Sequence, residues 1–286
     1  MARRQISSGF DMPDNKASVA LNAPLVLFLL LTIVVPLGGI FFFSLAGEAH
    51  PFANYADALA SPAFVRVVVT TLILGVIVSI VTTTFAFVFS LWVLRLPPRA
   101  KIIAVGAIIL PFFVSYLLRA LSWIPVLGFN GLVNRILMST GLIETPLSLI
   151  YNPFAVVLGT ANVLFPIAAL PLLAAFHKVD QRLLAAASSL GASRAVIFRR
   201  IFFPLVAPAT LSTTVMVFAV ATGFYITPSV LGGGKVLLAP NLIELLIHRR
   251  GEWGTGAALT IVLLVVYMSA IVLARRLGNP SRRRRS

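Results

Sequence analysis

Few side chains in this 286-residue chain are equipped for chemistry, and their spacing limits what they can do. The run Gly232, Gly233, Gly234, Lys235 invites comparison with a phosphate loop, in which backbone amides cradle phosphate and a Ser or Thr holds magnesium. That loop needs Gly, four residues, then Gly-Lys-Ser/Thr, whereas here Ser229 and Val236 stand at the two deciding positions. The glycines read instead as a flexible turn. His50, His177 and His248 are far apart in sequence and offer no metal or proton-relay cluster. With no cysteine there is no disulfide framework, thiolate metal site or cysteine nucleophile. A membrane enzyme would need nucleophile, base and metal within reach of one another, and no motif supplies them.

The elements around these residues are dominated by hydrocarbon. The chain is 59% hydrophobic and 11% charged, which is not the balance of a soluble domain. Stretches free of Lys, Arg, Asp and Glu run over 17–47, 67–94, 102–118, 145–177, 201–234 and 253–274. A bilayer core of roughly 30 Å takes about 20 apolar residues per helix. Six transmembrane helices are therefore expected at about 24–43, 67–93, 102–118, 153–175, 205–226 and 255–274. They must be helical, because lone strands leave backbone groups unpaired in lipid. The third run is the shortest, and its bounding Lys101 and Arg119 are expected to snorkel to the headgroups.

Six spans put both termini on one side. That side carries 17 basic residues against three acids, and the other six against five, so the positive-inside rule assigns the termini to the cytoplasm. The run Arg282–Arg285 then reads as a membrane anchor that meets anionic lipid, not as a nucleic-acid patch. Arg3 and Arg4 ahead of a long uncharged stretch read as an uncleaved signal anchor. None of the eight acids falls inside an expected span, which argues against a carrier coupled to protons or sodium ions. The expected organisation is a cytoplasmic tail over 1–23, a six-helix transmembrane domain over 24–274 and a basic cytoplasmic tail over 275–286.

Two outer segments are apolar yet broken. From Arg119 to Asn152 the chain is interrupted by Pro125, Gly128, Gly131, Gly141 and Pro146, so short interfacial or re-entrant helices are expected. From Thr227 to Trp253, Pro228 and the glycine turn precede an apolar stretch, Val236–Ile247, expected to dip back into the protein. Irregular backbone at membrane depth is tolerated where protein or a water-filled cavity covers it. Trp123, Asn130, Phe224, Tyr225, Asn241 and Glu244 are accordingly the candidates to line or gate a solute path. For a cationic solute, Tyr225 or Trp123 would give cation–π contacts and Glu244 charge attraction. Proline at 166 and 171, and hydroxyl residues at 210, 212, 213, 214 and 222, give the fourth and fifth spans the means to bend and pack closely.

The inner segment over 176–204 is amphipathic in two pieces. Leu183, Ala187 and Leu190 share one helical face; after Gly191 and the N-cap candidate Ser193, Ile197, Phe198 and Ile201 form a second apolar stripe. This segment resembles the EAA loop of bacterial ATP-binding-cassette (ABC) importer permeases, matching it at Ala186, Ala187, Gly191, Ala192, Phe198, Ile201 and Pro204, with Ala185 where the family has Glu. The stretches 111–137 and 227–243 resemble the spermidine/putrescine type of permease.

The resemblance implies an all-α polytopic bundle of six helices with type I importer architecture, in the bacterial inner membrane. It implies a non-catalytic subunit with no cofactor of its own, whose loop is gripped by one of two cytoplasmic ATPase subunits that bind ATP and magnesium. It further implies a second, homologous permease subunit, a periplasmic solute-binding protein and a polyamine or related small solute. The lost carboxylate at Ala185 removes one polar contact, worth about 0–1 kcal/mol if exposed, so coupling is expected to survive. The rival readings are a secondary transporter and a non-transporting membrane scaffold.

Overall fold

The computed structural model describes residues 15–46 and 50–277. The tail to residue 14 and the basic run Arg282–Arg285 lie outside the described residues. The described chain is helical, and six of its segments are long and apolar enough to cross a membrane.

The first is α1 (Asn15–Leu45), strongly apolar and exposed over 22–38, as a helix against lipid would be. It packs on the last helix, α14 (Trp253–Leu277), where the Phe43 and Trp253 rings lie 5.8 Å apart. After the short α2 (Ala53–Ala60), Ser61 caps α3 (Pro62–Leu94), with Pro62 in its first turn. Helices α8 (Pro153–His177) and α11 (Phe203–Thr222) pack against α3 and complete the core. This core joins Val78 and Ala86 to Leu164, Ala168, Leu172, Phe176, Phe202, Val206 and Val217. Small residues set the spacing: a side chain at Gly75 of α3 would collide with Thr222 and Phe218 of α11.

The third crossing departs from expectation. A single helix over 102–118 ending at a snorkelling Arg119 is not what forms; the apolar window of membrane-spanning length falls instead at Tyr116–Ser139. The climb is made in pieces by α4 (Pro98–Ile109), a 3-10 turn (Leu110–Phe113), α5 (Tyr116–Leu121) and α6 (Ile124–Leu127). Their packing fixes the direction: Ala104 lies with Leu173 and Val93, Arg119 bonds Asn162, and Leu127 clusters with Ala155 and Val156. Pro111, the extended Val114 and Pro125 supply the breaks. Beyond them α7 (Leu132–Ser139) is held by Asn134, which is almost fully buried. Its amide nitrogen donates to the carbonyls of Gly128, Phe129 and Leu147, and its oxygen accepts from Leu147 N–H.

The fifth span also differs from its expected limits of 205–226. Helix α10 (Arg194–Ile197) runs through a π turn (Phe198–Phe202) into α11, so one continuous helix covers Arg194–Thr222. The wide turn has a local cause. Pro204 has no N–H to give the preceding turn, and Phe203 N–H reaches back five residues to Phe198 O. The helix stops at Gly223; α12 (Ile226–Leu231) then packs against α5 and α8, and α13 (Ala239–Glu244) against α14 and α3. Val236, Leu238, Ala239 and Leu246 are buried there, so the apolar stretch does return into the protein. The Gly233 and Gly234 residues adopt positive φ in the preceding turn, closed by Lys235 N–H to Gly232 O at 3.0 Å.

Candidate functional site

Between α8 and α10 stands α9 (Gln181–Ser189), a helix of nine residues none of which is buried. Asp180 starts it, its Oδ1 accepting from Arg182 N–H at 2.8 Å. Its end explains the pattern read in the sequence. Gly191 takes φ +82°, Ala192 N–H reaches Ala187 O at 3.1 Å, and Gly191 N–H reaches Ser188 O at 3.0 Å. These two bonds form a Schellman stop, in which the left-handed residue wants to be glycine and the flanking pair must fit closely, which alanine does. Ser193 then caps α10, its Oγ accepting from Val196 N–H. The result is a helix, glycine turn, helix hairpin projecting from the bundle.

The matched residues do not all share one surface. Ala186 is exposed and Ala187 and Ala192 half-exposed on the hairpin itself. Phe198, 37% exposed, belongs to its root: its ring stacks on Phe202 at 5.7 Å and meets Phe87 edge-on at 6.5 Å. Ile201 and the exposed Pro204 lie in and just beyond the π turn. The side chains at the hairpin's tip that offer apolar area are Leu190, 88% exposed, and Leu183, 49% exposed. They were legible as one helical face but are absent from the residues of the family pattern. An apolar residue immediately before a glycine stop was the available signal.

The six path candidates fall into separate settings. Phe224 and Tyr225 sit together where α11 turns into α12, and the Phe224 ring meets Tyr116 of α5 edge-on at 6.1 Å. Asn241 is brought to the same corner, but its amide is engaged: Nδ2 donates to Tyr225 O at 3.2 Å and Ser229 Oγ at 2.7 Å, and Oδ1 accepts from Leu238 N–H. Trp123 is half-buried in the cluster with Leu127, Val156 and Leu231. Asn130 is on an exposed turn, where its carbonyl accepts from Arg135 Nε at 2.9 Å. Glu244 lies 4.0 Å from Arg249 in a largely exposed pair. One polar side chain escaped the sequence reading, the exposed Asn162 at mid-length of α8 beside buried Arg119. A separate groove of about 290 Å³ runs between α3 and α11, lined by Thr83, Thr84, Thr210 and Thr214 with Phe87 and Phe203.

This geometry, a bundle of apolar spans with broken connecting segments and a helix, glycine turn, helix hairpin, is that of an ABC transporter permease. A chain of the bacterial alginate ABC transporter, solved with an alginate pentasaccharide-bound periplasmic protein, superposes with TM-score 0.79 over 92% of this chain and 94% of that one, at 18% identity. No family model matches the chain. The spermidine/putrescine transport system permease protein PotB of Haemophilus influenzae is 32% identical over 215 residues, covering 74% of each protein. PotB of Escherichia coli K12 is 30% identical over 213 residues, 74% of this chain and 77% of that one. The chain belongs to the PotB family of ABC importer permeases, multi-pass proteins of the membrane.

Proposed function

We propose that this chain is one of two permease subunits that form a polyamine path across the inner membrane, with its termini and the α9 hairpin in the cytoplasm. Two ATPase subunits bind ATP and magnesium and grip the hairpin, and a periplasmic binding protein delivers solute to the broken outer segments. The chain itself performs no catalysis and binds no cofactor. The observation that carries the coupling role is α9 itself: a capped, rigidly terminated amphipathic helix that has no buried residue in its own chain and presents Leu183 and Leu190 outward. Apolar area of this kind in a built, stopped helix fits a groove on a partner. The root of the hairpin is the start of the fifth span, through the Phe87, Phe198, Phe202 cluster, so a push on α9 is delivered to α11.

Polyamine as the solute is supported by the solute in the relatives' names and by the aromatic corner of Tyr116, Phe224 and Tyr225, whose faces suit alkylammonium groups. The threonine-lined groove between α3 and α11 is the seam for the second permease, where hydroxyl residues allow close approach.

The chain has no native cysteine, so a Ser189→Cys variant carries a single thiol in this subunit for labelling and cross-linking. In the assembled complex, the introduced thiol is expected to cross-link to an ATPase subunit and to react with impermeant maleimide only from the cytoplasmic side. ATPase turnover in proteoliposomes is expected to rise with a polyamine-loaded binding protein. Labelling from the outside, or turnover indifferent to the loaded binding protein, would refute the assignment.

A further inference from the structure

Behind the hairpin the bundle holds a cavity of about 620 Å³, lined by the ends of α3 (Leu91, Leu94, Arg95), the first turn of α4 (Lys101), the end of α8 (His177), Gln181 and Leu184 of α9, and the hairpin root (Arg194, Ile197, Phe198, Phe202). Its chemistry is divided. Six apolar side chains form the walls, and Arg95, Lys101 and Arg194 converge on it with His177. None of the three cations has a carboxylate partner or a side-chain hydrogen bond in the described chain, whose two ion pairs lie elsewhere, at Arg249–Glu244 and Arg250–Glu252. The nearest acid in sequence, Asp180, caps α9 through Oδ1 and is in neither ion pair. His177 offers a free Nε2, because its Nδ1 lies 2.9 Å from Leu173 O, a carbonyl that can only accept, and therefore carries the proton.

Arg95 and Arg194 are exposed and Lys101 half-exposed at the rim, so together they give the mouth of an apolar cavity a positive field that suits an anion. The site also sits at a defined depth. Leu94 and His177 end two helices of membrane-spanning length, which would set the cations near headgroup level and Leu91 and Phe202 toward the hydrocarbon. We infer that this cavity binds an anionic phospholipid of the cytoplasmic leaflet, its phosphate among Arg95, Lys101 and Arg194 and an acyl chain along Leu91, Leu94, Ile197 and Phe202.

An acidic segment of the ATPase is the competing occupant, and α9 argues against it. The helix turns Gln181 and Leu184 to the cavity, while Leu183, Ala187 and Leu190 lie roughly 120° around its axis at 3.6 residues per turn. The face toward the motor and the face toward the cavity are different faces. A bound lipid is thus a strut between the coupling helix and α3, α4 and α10, and basic pockets between spans on the cytoplasmic side suit such headgroups.

The inference rests on the cytoplasmic placement proposed above, and the test separates the two. The purified complex, titrated with phosphatidylglycerol or phosphatidylcholine, is read by native mass spectrometry, and the sidedness of maleimide labelling in the Ser189→Cys variant is read in parallel. Wild type is expected to retain phosphatidylglycerol over phosphatidylcholine. The loss expected is about fivefold for Arg95→Gln alone and roughly a hundredfold for Arg95→Gln, Lys101→Gln and Arg194→Gln together. Arg95→Lys and Arg194→Lys are expected to retain it, which guards against misfolding of the triple variant.

Millimolar inorganic phosphate is expected not to displace the lipid; displacement would identify free phosphate as the ligand and overturn the lipid assignment. Equal retention of both lipids, with position 189 labelled from the cytoplasm, overturns this inference alone. Loss of ATPase co-purification in the Gln variants with unchanged lipid retention overturns it in favour of the acidic segment. Labelling of position 189 from the outer face removes the parent reading as well.

Discussion

The Arg119 guanidinium donates from Nη2 to the backbone carbonyl of Asn162 at 2.9 Å, and that carbonyl is the one Pro166 leaves without a helical donor. In a helix the carbonyl of residue 162 would accept from the N–H of residue 166, which proline lacks. Membrane-depth backbone has no water to turn to, so the freed acceptor must find a partner in the protein. Arg119 supplies it from the broken third crossing, and thereby ties α5 to the middle of α8. Its side chain is about nine-tenths buried, a position a snorkelling residue would not take.

The two residues should therefore be thermodynamically coupled. Arg119→Met is expected to lower the thermal stability of the purified complex, and the drop is expected to shrink in a Pro166→Ala background, where the carbonyl regains its N–H. A coupling of about 1 kcal/mol is the scale for polar contacts between membrane helices. Melting of the four variants, followed by fluorescence-detected gel filtration, gives the cycle; strict additivity would show that Arg119 serves some other partner.

At Gly191 a Cβ would meet nothing within 4 Å, so the position is constrained by backbone geometry alone. Its φ of +82° costs an L-residue with a branched side chain about 1–2 kcal/mol and asparagine less. Gly191→Val is expected to abolish stimulated ATPase turnover while Gly191→Asn retains most of it, with both chains inserted normally. Equal loss in the two variants would point to steric contact with a partner at this residue instead of strain.

How far these features could be read beforehand depends on the length scale of their cause. The long apolar spans were legible because bilayer thickness acts on every residue of a run, and four of the six fall within a few residues of their expected limits. The Gly191 stop and the Ser193 cap were legible for the opposite reason: each is decided within about five residues. The third crossing was not, because it is held by contacts 43 residues apart in sequence, such as Arg119 with Asn162, which no local pattern reports. A charged residue at the end of an apolar run reads as a boundary unless the orphaned carbonyl waiting for it is seen. Phe198 illustrates the same limit in the candidate site. Its helical stripe was visible, but only the positions of Phe87 and Phe202 put it at the root of the hairpin and not on its tip.

The exposed leucines of the hairpin should separate docking from folding. Leu183→Glu and Leu190→Glu lie on a surface that supports no core, so each is expected to change the stability of the isolated permease pair by no more than about 0.5 kcal/mol. If they anchor in a groove of the ATPase, each should cost about 2 kcal/mol or more of binding, a loss of roughly thirtyfold. The amount of ATPase retained on immobilised permease measures this directly. Retention at the wild-type level in both variants would place the docking surface elsewhere.

Asn134 offers a test of how the broken segment after α6 is organised, because one buried amide holds two stretches of irregular chain together. It joins the turn at Gly128 and Phe129 to Leu147, thirteen residues along, through both its donor and its acceptor. Asp at this position keeps the acceptor for Leu147 N–H but loses every donor and faces three carbonyl oxygens with a charge. Leu keeps the volume and loses both functions, at about 1–3 kcal/mol for each buried group left unpaired. The segment from Gly128 to Leu147 is therefore expected to become sensitive to protease added from the outside in both variants, more so in Asn134→Asp, with the six spans still inserted. If solute is delivered to this surface as proposed, stimulation by the loaded binding protein should fall while basal ATPase turnover is unchanged, and a loss of basal turnover instead would mean that Asn134 supports the bundle as a whole.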